Sequence, residues 1–166
     1  AALLAALHDW SDRDVKVTPL KSLQGMIWLD GYKTSGLRGH LYPDAIDALQ
    51  RYHGCGVALY VYSSGSVSAQ RLLFGNSVAG DLLPLFSGFY DTTIGGKRES
   101  GSYERILDDI GVPPNEAVFF SDNEAELDAA EEAGIQTVQL ARPQDLTVPT
   151  TRHASVESFV TVEVEP

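Results

Sequence analysis

Three short stretches of this chain carry side chains that could handle a phosphate group and a hard cation. The first is Tyr62-Ser63-Ser64-Gly65-Ser66, between an apolar run and a helical one. Hydroxyls and free backbone N–H groups at the start of a helix form an anion site. The second is Ile94-Gly95-Gly96-Lys97-Arg98-Glu99, where a glycine-rich turn lets Lys97 reach inward and neutralise a phosphate oxygen. The third is Val118-Phe119-Phe120-Ser121-Asp122-Asn123-Glu124-Ala125-Glu126. Here Asp122 directly follows an apolar strand, and Glu126 is a second carboxylate four residues on. Mg²⁺ is satisfied by one or two carboxylates, several waters and a substrate phosphate. Each stretch also has a plainer reading. Ser66 can cap a helix while Gly65 makes the turn, and Lys97 can sit solvated in a loop. Asp122 can be an N-cap, with Glu124 and Glu126 complementing the helix dipole. Their order carries more weight than any one of them. A hydroxyl, a lysine and a carboxylate follow three successive strands, which together make a phosphate-and-magnesium pocket at one edge of a parallel sheet.

The elements that must position these groups alternate between helix and strand. Residues 1–39 read as helical, with Thr18 as N-cap, Pro19 at N1 and apolar groups at Leu20, Leu23, Ile27 and Trp28. Gly36 and Gly39 mark a loop. Helices follow at 43–52, 67–74, 102–110 and 124–133, the last closed by Gly134. Strands fall at 57–62, 88–93, 117–120 and 136–140. Such alternation means βαβ crossovers and a parallel sheet, which binds ligands at the carboxyl ends of its strands. The stretch 160–165 alternates like an edge strand, or is a frayed terminus.

Bulk composition narrows the partners. The 166 residues include 12 basic and 23 acidic side chains, a formal charge of −11, which disfavours nucleic acid and anionic membranes. Any phosphorylated ligand must therefore meet positive charge built into its site. The 43% hydrophobic content is ordinary for one soluble domain. Cys55 is the single cysteine, which precludes an intrachain disulfide, fits a reducing compartment and reads as a small buried or half-buried residue. No stretch has the length of a transmembrane helix. The opening Ala1-Ala2-Leu3-Leu4-Ala5-Ala6-Leu7 has no preceding basic region and does not read as a signal peptide. A cytoplasmic setting is expected.

The order of the three stretches resembles the haloacid dehalogenase superfamily of phosphotransferases. More closely, the stretches 20–28, 60–67, 69–75, 89–97 and 120–122 look like enolase-phosphatases of methionine salvage. The Ser63-Ser64-Gly65-Ser66 and Gln70-Arg71-Leu72-Leu73-Phe74-Gly75 segments are the most specific. The similarity runs from about Asp12 to Arg142. It implies an α/β fold of Rossmann type, a parallel sheet with a helical cap. Residues 1–39 would belong to the cap and residues 40–166 to the core. It implies a substrate, 2,3-diketo-5-methylthiopentyl-1-phosphate, which such enzymes enolise and dephosphorylate to the acireductone. By position, Ser63, Ser64 and Gly65 would bind substrate oxygens. Lys97 would hold the phosphoryl group, with Lys97 and Ser63 as the catalytic residues this chain contains. Asp122 would be a ligand of a single Mg²⁺ per subunit, supported by Glu126. Lys21, Gln24 and Trp28 would be candidates for lid contacts, although Trp28 reads better as core. The expected partner is a small phosphorylated metabolite, and the complete protein would be a monomer.

The chain departs from the pattern in one respect. The superfamily's nucleophile is an aspartate at the end of the first strand, in these enzymes within Asp-x-Glu-Gly-Thr-Thr, and it forms an aspartyl-phosphate. No such stretch occurs here. Asp12-Arg13-Asp14 follows Trp10-Ser11 rather than an apolar strand and is rejected. Asp44, Asp47, Asp108 and Asp109 fall in helical patterns. The chain therefore reads as truncated, missing the first, central strand between the 57–62 and 117–120 strands. Unpaired backbone on both neighbours is then expected to leave the fragment unstable, aggregating or borrowing a strand, with 160–165 as a candidate. Little turnover is expected from the fragment alone. Two alternatives stay open: a non-catalytic module that binds a phosphorylated metabolite, and a related phosphatase with another small substrate.

Overall fold

The structure is a computed structural model that describes residues 7, 9, 10, 13 and 18–164. Helix α1 (Thr18–Thr34) begins at Thr18-Pro19, where the proline's missing N–H costs nothing in a first turn. A loop with Gly36 at φ 67° leads to α2 (Pro43–Gly54). Then come β1 (Tyr60–Tyr62), α3 (Val67–Gly75), β2 (Gly88–Tyr90), α4 (Ser100–Ile110), β3 (Val118–Ser121), α5 (Glu124–Glu132), β4 (Gln136–Leu140) and β5 (Ala154–Val156). The expected alternation is present, and every strand pairing is parallel.

Among the described residues the strands form two sheets, not one. β1 pairs with β2, and a separate sheet has the order β3-β4-β5. Among the described residues, β1 and β3 are not hydrogen-bonded to each other. This leaves a break between the two sheets. Helix α4 spans it. Its Tyr103, 2% exposed, packs edge-on against Tyr62 of β1 at 5.4 Å and against Phe119 of β3 at 5.1 Å. Tyr103 also belongs to the main buried cluster, with Leu107, Ala129, Ala130, Ala133 and Ile135, so the core lies where α4 and α5 pack against the strands. The i, i+3, i+4, i+7 spacing of Tyr103, Ile106, Leu107 and Ile110 gives α4 the apolar face that this packing requires.

Several boundaries differ from expectation, each for a local reason. The strand expected at 88–93 stops at Tyr90, because the Asp91 carboxylate accepts from Thr93 N and turns the chain. The run 57–62 is in strand conformation only from Tyr60. The described part of the 160–165 stretch, residues 160–164, is not a strand: Phe159–Thr161 is a single 3₁₀ turn, held because Tyr52 Oη and Arg51 Nη2 donate to the Val162 carbonyl. It therefore fills no gap in the sheet. The last strand lies earlier, at Ala154–Val156, beside β4. Cys55 is exposed in the turn after α2, and Trp28 is 43% exposed on α1, so neither is a core residue.

The C-terminal segment is fastened by a largely buried ion pair. Arg142 donates to Asp44 on α2 at 2.7 Å and stacks over the Tyr42 ring, while Phe159 N donates to the same carboxylate. Burial works against ionising Asp44, but these hydrogen bonds outweigh it and hold its carboxyl below the usual range.

Candidate active site

The loop after β2 is joined to the end of β1 through Tyr62 and, through Glu126, to Ser121 at the end of β3, although the sheets are separate. Tyr62 Oη, at the end of β1, donates to the Gly95 carbonyl at 2.8 Å and ties the lysine loop to that strand. From α4, Tyr103 Oη donates to the Lys97 carbonyl at 2.7 Å. Burial raises the pKa of both phenols above the ordinary value, so each remains a neutral donor. Gly95 has φ 143°, and a Cβ there would overlap Ser102 Oγ and Arg105 Nη2. Only glycine lets the loop lie this close to α4.

So anchored, Lys97 is largely buried rather than free in solvent. Its Nζ forms an ion pair with Glu126 Oε2, with side-chain exposures of 21% and 14%, and lies 5.9 Å from the Phe119 ring centroid. Ser121 Oγ donates to the same Glu126 oxygen at 2.9 Å and accepts from Asn123 N at 3.1 Å. Asn123, not Asp122, caps α5, accepting from Ala125 N. That leaves Asp122 exposed at the end of β3, its carboxylate uncommitted to the helix.

On the β1 side, the ladder continues one bond further, from Ser63 N to the Tyr90 carbonyl. Ser63 Oγ accepts from Gly65 N at 3.1 Å, and Ser66 caps α3 by accepting from Ala69 N. The plainer reading of Ser66 and Gly65 therefore holds, without removing Ser63 and Ser64, both partly exposed, from the site. Two neighbours were not singled out by sequence. Asp91 Oδ2 accepts from Val67 N at the start of α3, and Gln70 Nε2 donates to both the Gly65 and Tyr90 carbonyls at 2.8 Å. Asp91 had a legible signal, a carboxylate just past a strand end like Asp122. Gln70 falls within the 70–75 segment that is among the most specific to the resemblance, but nothing in that segment marks it as a site residue.

The side chains of Lys21 and Gln24 lie outside the described residues, as do Asp12 and Asp14. Among the described residues, no three His, Cys, Asp or Glu side chains gather to hold a metal ion. Asp122 and Glu126 are a donor set of the right kind for Mg²⁺, which keeps several waters, and Glu126 would have to share itself with Lys97. They can supply part of an octahedral shell and no more.

A family model described as haloacid dehalogenase-like hydrolase matches residues 9–134. The chain is 54% identical over 156 residues to an enolase-phosphatase E1 of Pseudomonas fluorescens, covering 94% of this chain and 67% of that protein. It is 52% identical over 162 residues to the enolase-phosphatase E1 of a Pseudomonas aeruginosa strain, covering 98% and 71%. It thus spans about two thirds of the length of these relatives. Among solved structures, the UTR4 protein of Saccharomyces cerevisiae superposes with a TM-score of 0.84 at 37% identity, covering 97% of this chain and 74% of that one. With its parallel strands, intervening helices and Ser63, Lys97 and Asp122 at successive strand ends, this chain belongs to the haloacid dehalogenase-like hydrolases, and within them to the enolase-phosphatases.

Proposed function

We propose that this chain binds 2,3-diketo-5-methylthiopentyl-1-phosphate and carries the phosphate-holding part of a Mg²⁺-dependent enolase-phosphatase of methionine salvage. One observation carries the reading: an inward-held lysine, Lys97, paired with Glu126 on a loop after β2 that Tyr62 of β1 fastens, in a chain more than half identical to a protein named enolase-phosphatase E1. Lys97 holds a phosphoryl oxygen, exchanging its carboxylate partner Glu126 for the substrate. Ser63 and Ser64, with the N–H of Gly65, orient substrate oxygens at the start of α3. Asp122 and Glu126 would hold Mg²⁺, whose contribution is to offset the negative charge of the phosphoryl oxygens. The segment up to residue 39 acts as a cap. This is supported by α1 lying against α3, the helix that follows the serine loop, and by the exposed Met26, Ile27, Trp28 and Leu29, apolar groups suited to covering a substrate.

The test is titration of this phosphate ester in Mg²⁺, with binding followed by calorimetry and phosphate release followed in parallel. Saturable binding that is lost in Lys97→Ala supports the site, and no binding to the unmodified chain sinks it. A panel of other small phosphate esters separates this substrate from a relative's. A second reading is a module that binds the ester without hydrolysing it. Binding without release is its outcome.

A further inference from the structure

We infer that Gln70 is a positioning residue, which sets the serine loop against the end of β2 and thereby tunes the hold on a phosphoryl group. The inference rests on the phosphate-binding reading above. Gln70 is 6% exposed on α3, and its amide nitrogen is shared between two carbonyls, Gly65 in the loop and Tyr90 at the end of β2. Both partners are acceptors only, so the amide nitrogen must point at them and the orientation of the group is fixed. The opposite end, Oε1, is buried without a hydrogen-bond partner. An apolar residue of the same shape would spare the unsatisfied Oε1 but take the donor from the Gly65 and Tyr90 carbonyls, so the net change in stability is small. What the amide provides in return is the link between the 63–66 loop and β2.

That link does not act alone. Asp91, one residue beyond Tyr90, accepts from Val67 N with one oxygen and from Thr93 N with the other. Thr93 leads directly into the Gly95–Lys97 turn. Gln70 and Asp91 thus form a brace from the serine loop, through the end of β2, to the loop that carries the lysine. Sub-ångström placement of such groups governs how well they meet one ligand together. Gln70 touches neither Ser63 Oγ nor Lys97 Nζ in any described contact, so its effect is through the loop backbone.

The experiment compares the unmodified full chain with Gln70→Met, which keeps the shape and removes both donors, and Gln70→Glu, which keeps the shape and sets a carboxylate against two carbonyls. Each is titrated with inorganic phosphate in Mg²⁺ while the Ser64, Gly65 and Lys97 amides are followed by ¹⁵N NMR. Melting temperature and amide hydrogen exchange are measured without phosphate. Gln70→Met should melt within a few degrees of the unmodified temperature, exchange its Gly65 and Ser66 amides faster, and bind phosphate roughly tenfold more weakly. Gln70→Glu should lose at least as much affinity. Unaltered exchange and affinity in a folded Gln70→Met, with normal binding by the unmodified chain, overturns the role of Gln70 alone. Absence of saturable shifts in the unmodified chain overturns the phosphate site, and the positioning role falls with it.

Discussion

Replacing Tyr103 tests whether one ring couples two ladders that share no hydrogen bonds. The side chain is 2% exposed, touches Tyr62 on one side of the break and Phe119 on the other, and donates to the Lys97 carbonyl. Truncating a buried aromatic to alanine costs about 3–5 kcal/mol, and the two edge-on pairs place Tyr103→Ala toward the upper end of that range. Against a domain stability of about 5–15 kcal/mol, this is a large share. Tyr103→Phe keeps the ring and removes only the hydrogen bond, at about 1 kcal/mol. Urea unfolding, followed by near-UV circular dichroism and by backbone signal, separates the cases. Tyr103→Phe should shift the midpoint and keep one transition. Tyr103→Ala should shift it far more and separate the two probes, because β1-β2 and β3-β4-β5 then unfold independently. A Tyr103→Ala cost below about 1 kcal/mol, with coincident probes, would refute the coupling.

Other expectations follow from the same geometry. Gly95→Ala must displace Ser102 or Arg105 and rotate a backbone held at φ 143°, so it should destabilise by about 2–3 kcal/mol in urea and weaken phosphate binding as well. Glu126→Gln frees Lys97 of its partner and should tighten binding of inorganic phosphate in the absence of Mg²⁺, measured by calorimetry; weaker binding would contradict the exchange of partners. Asp122→Asn should abolish the Mg²⁺ dependence of binding while leaving the melting temperature within a few degrees, since Asn123 caps the helix. The Asp44 carboxyl, held below its ordinary range, contributes stability that is complete above the unfolded-state pKa. That contribution is lost as pH falls through the lower folded value. Acid melts of Asp44→Asn should therefore show a shallower loss of stability below about pH 4 than the unmodified chain.

The alternation of helices and strands was legible because apolar runs at period 3.6 and short continuous runs leave distinct marks, as in α4 and in Gln136–Leu140. The three strand-end groups were legible because position after a strand limits where a side chain can go. What escaped notice depended on contacts between distant segments. Nothing near Lys97 announces that Glu126, 29 residues on, holds it. Trp28 reads as core by type, and its exposure is decided by what α1 packs against, which periodicity does not specify. The tail deceived for a related reason: 160–165 has the alternation of a strand, but Arg51 and Tyr52 capture its Val162 carbonyl first. Gln70 shows the limit most clearly, since a buried polar residue on a helix gives no local sign of the two carbonyls it joins.

The Lys97–Glu126 pair also bears on how quickly a ligand arrives. Because that lysine is matched internally, the mouth of the site offers an incoming dianion little long-range attraction, while the molecule as a whole carries a formal charge of −11. Encounter is then opposed by the field, not guided by it, and the attraction appears only once the Lys97–Glu126 contact begins to give way to a lysine–phosphate one. Added salt would screen the repulsion over distances beyond about 8–10 Å and leave the short-range exchange largely untouched. Association should therefore speed up with ionic strength, the reverse of the usual behaviour of a cationic phosphate pocket.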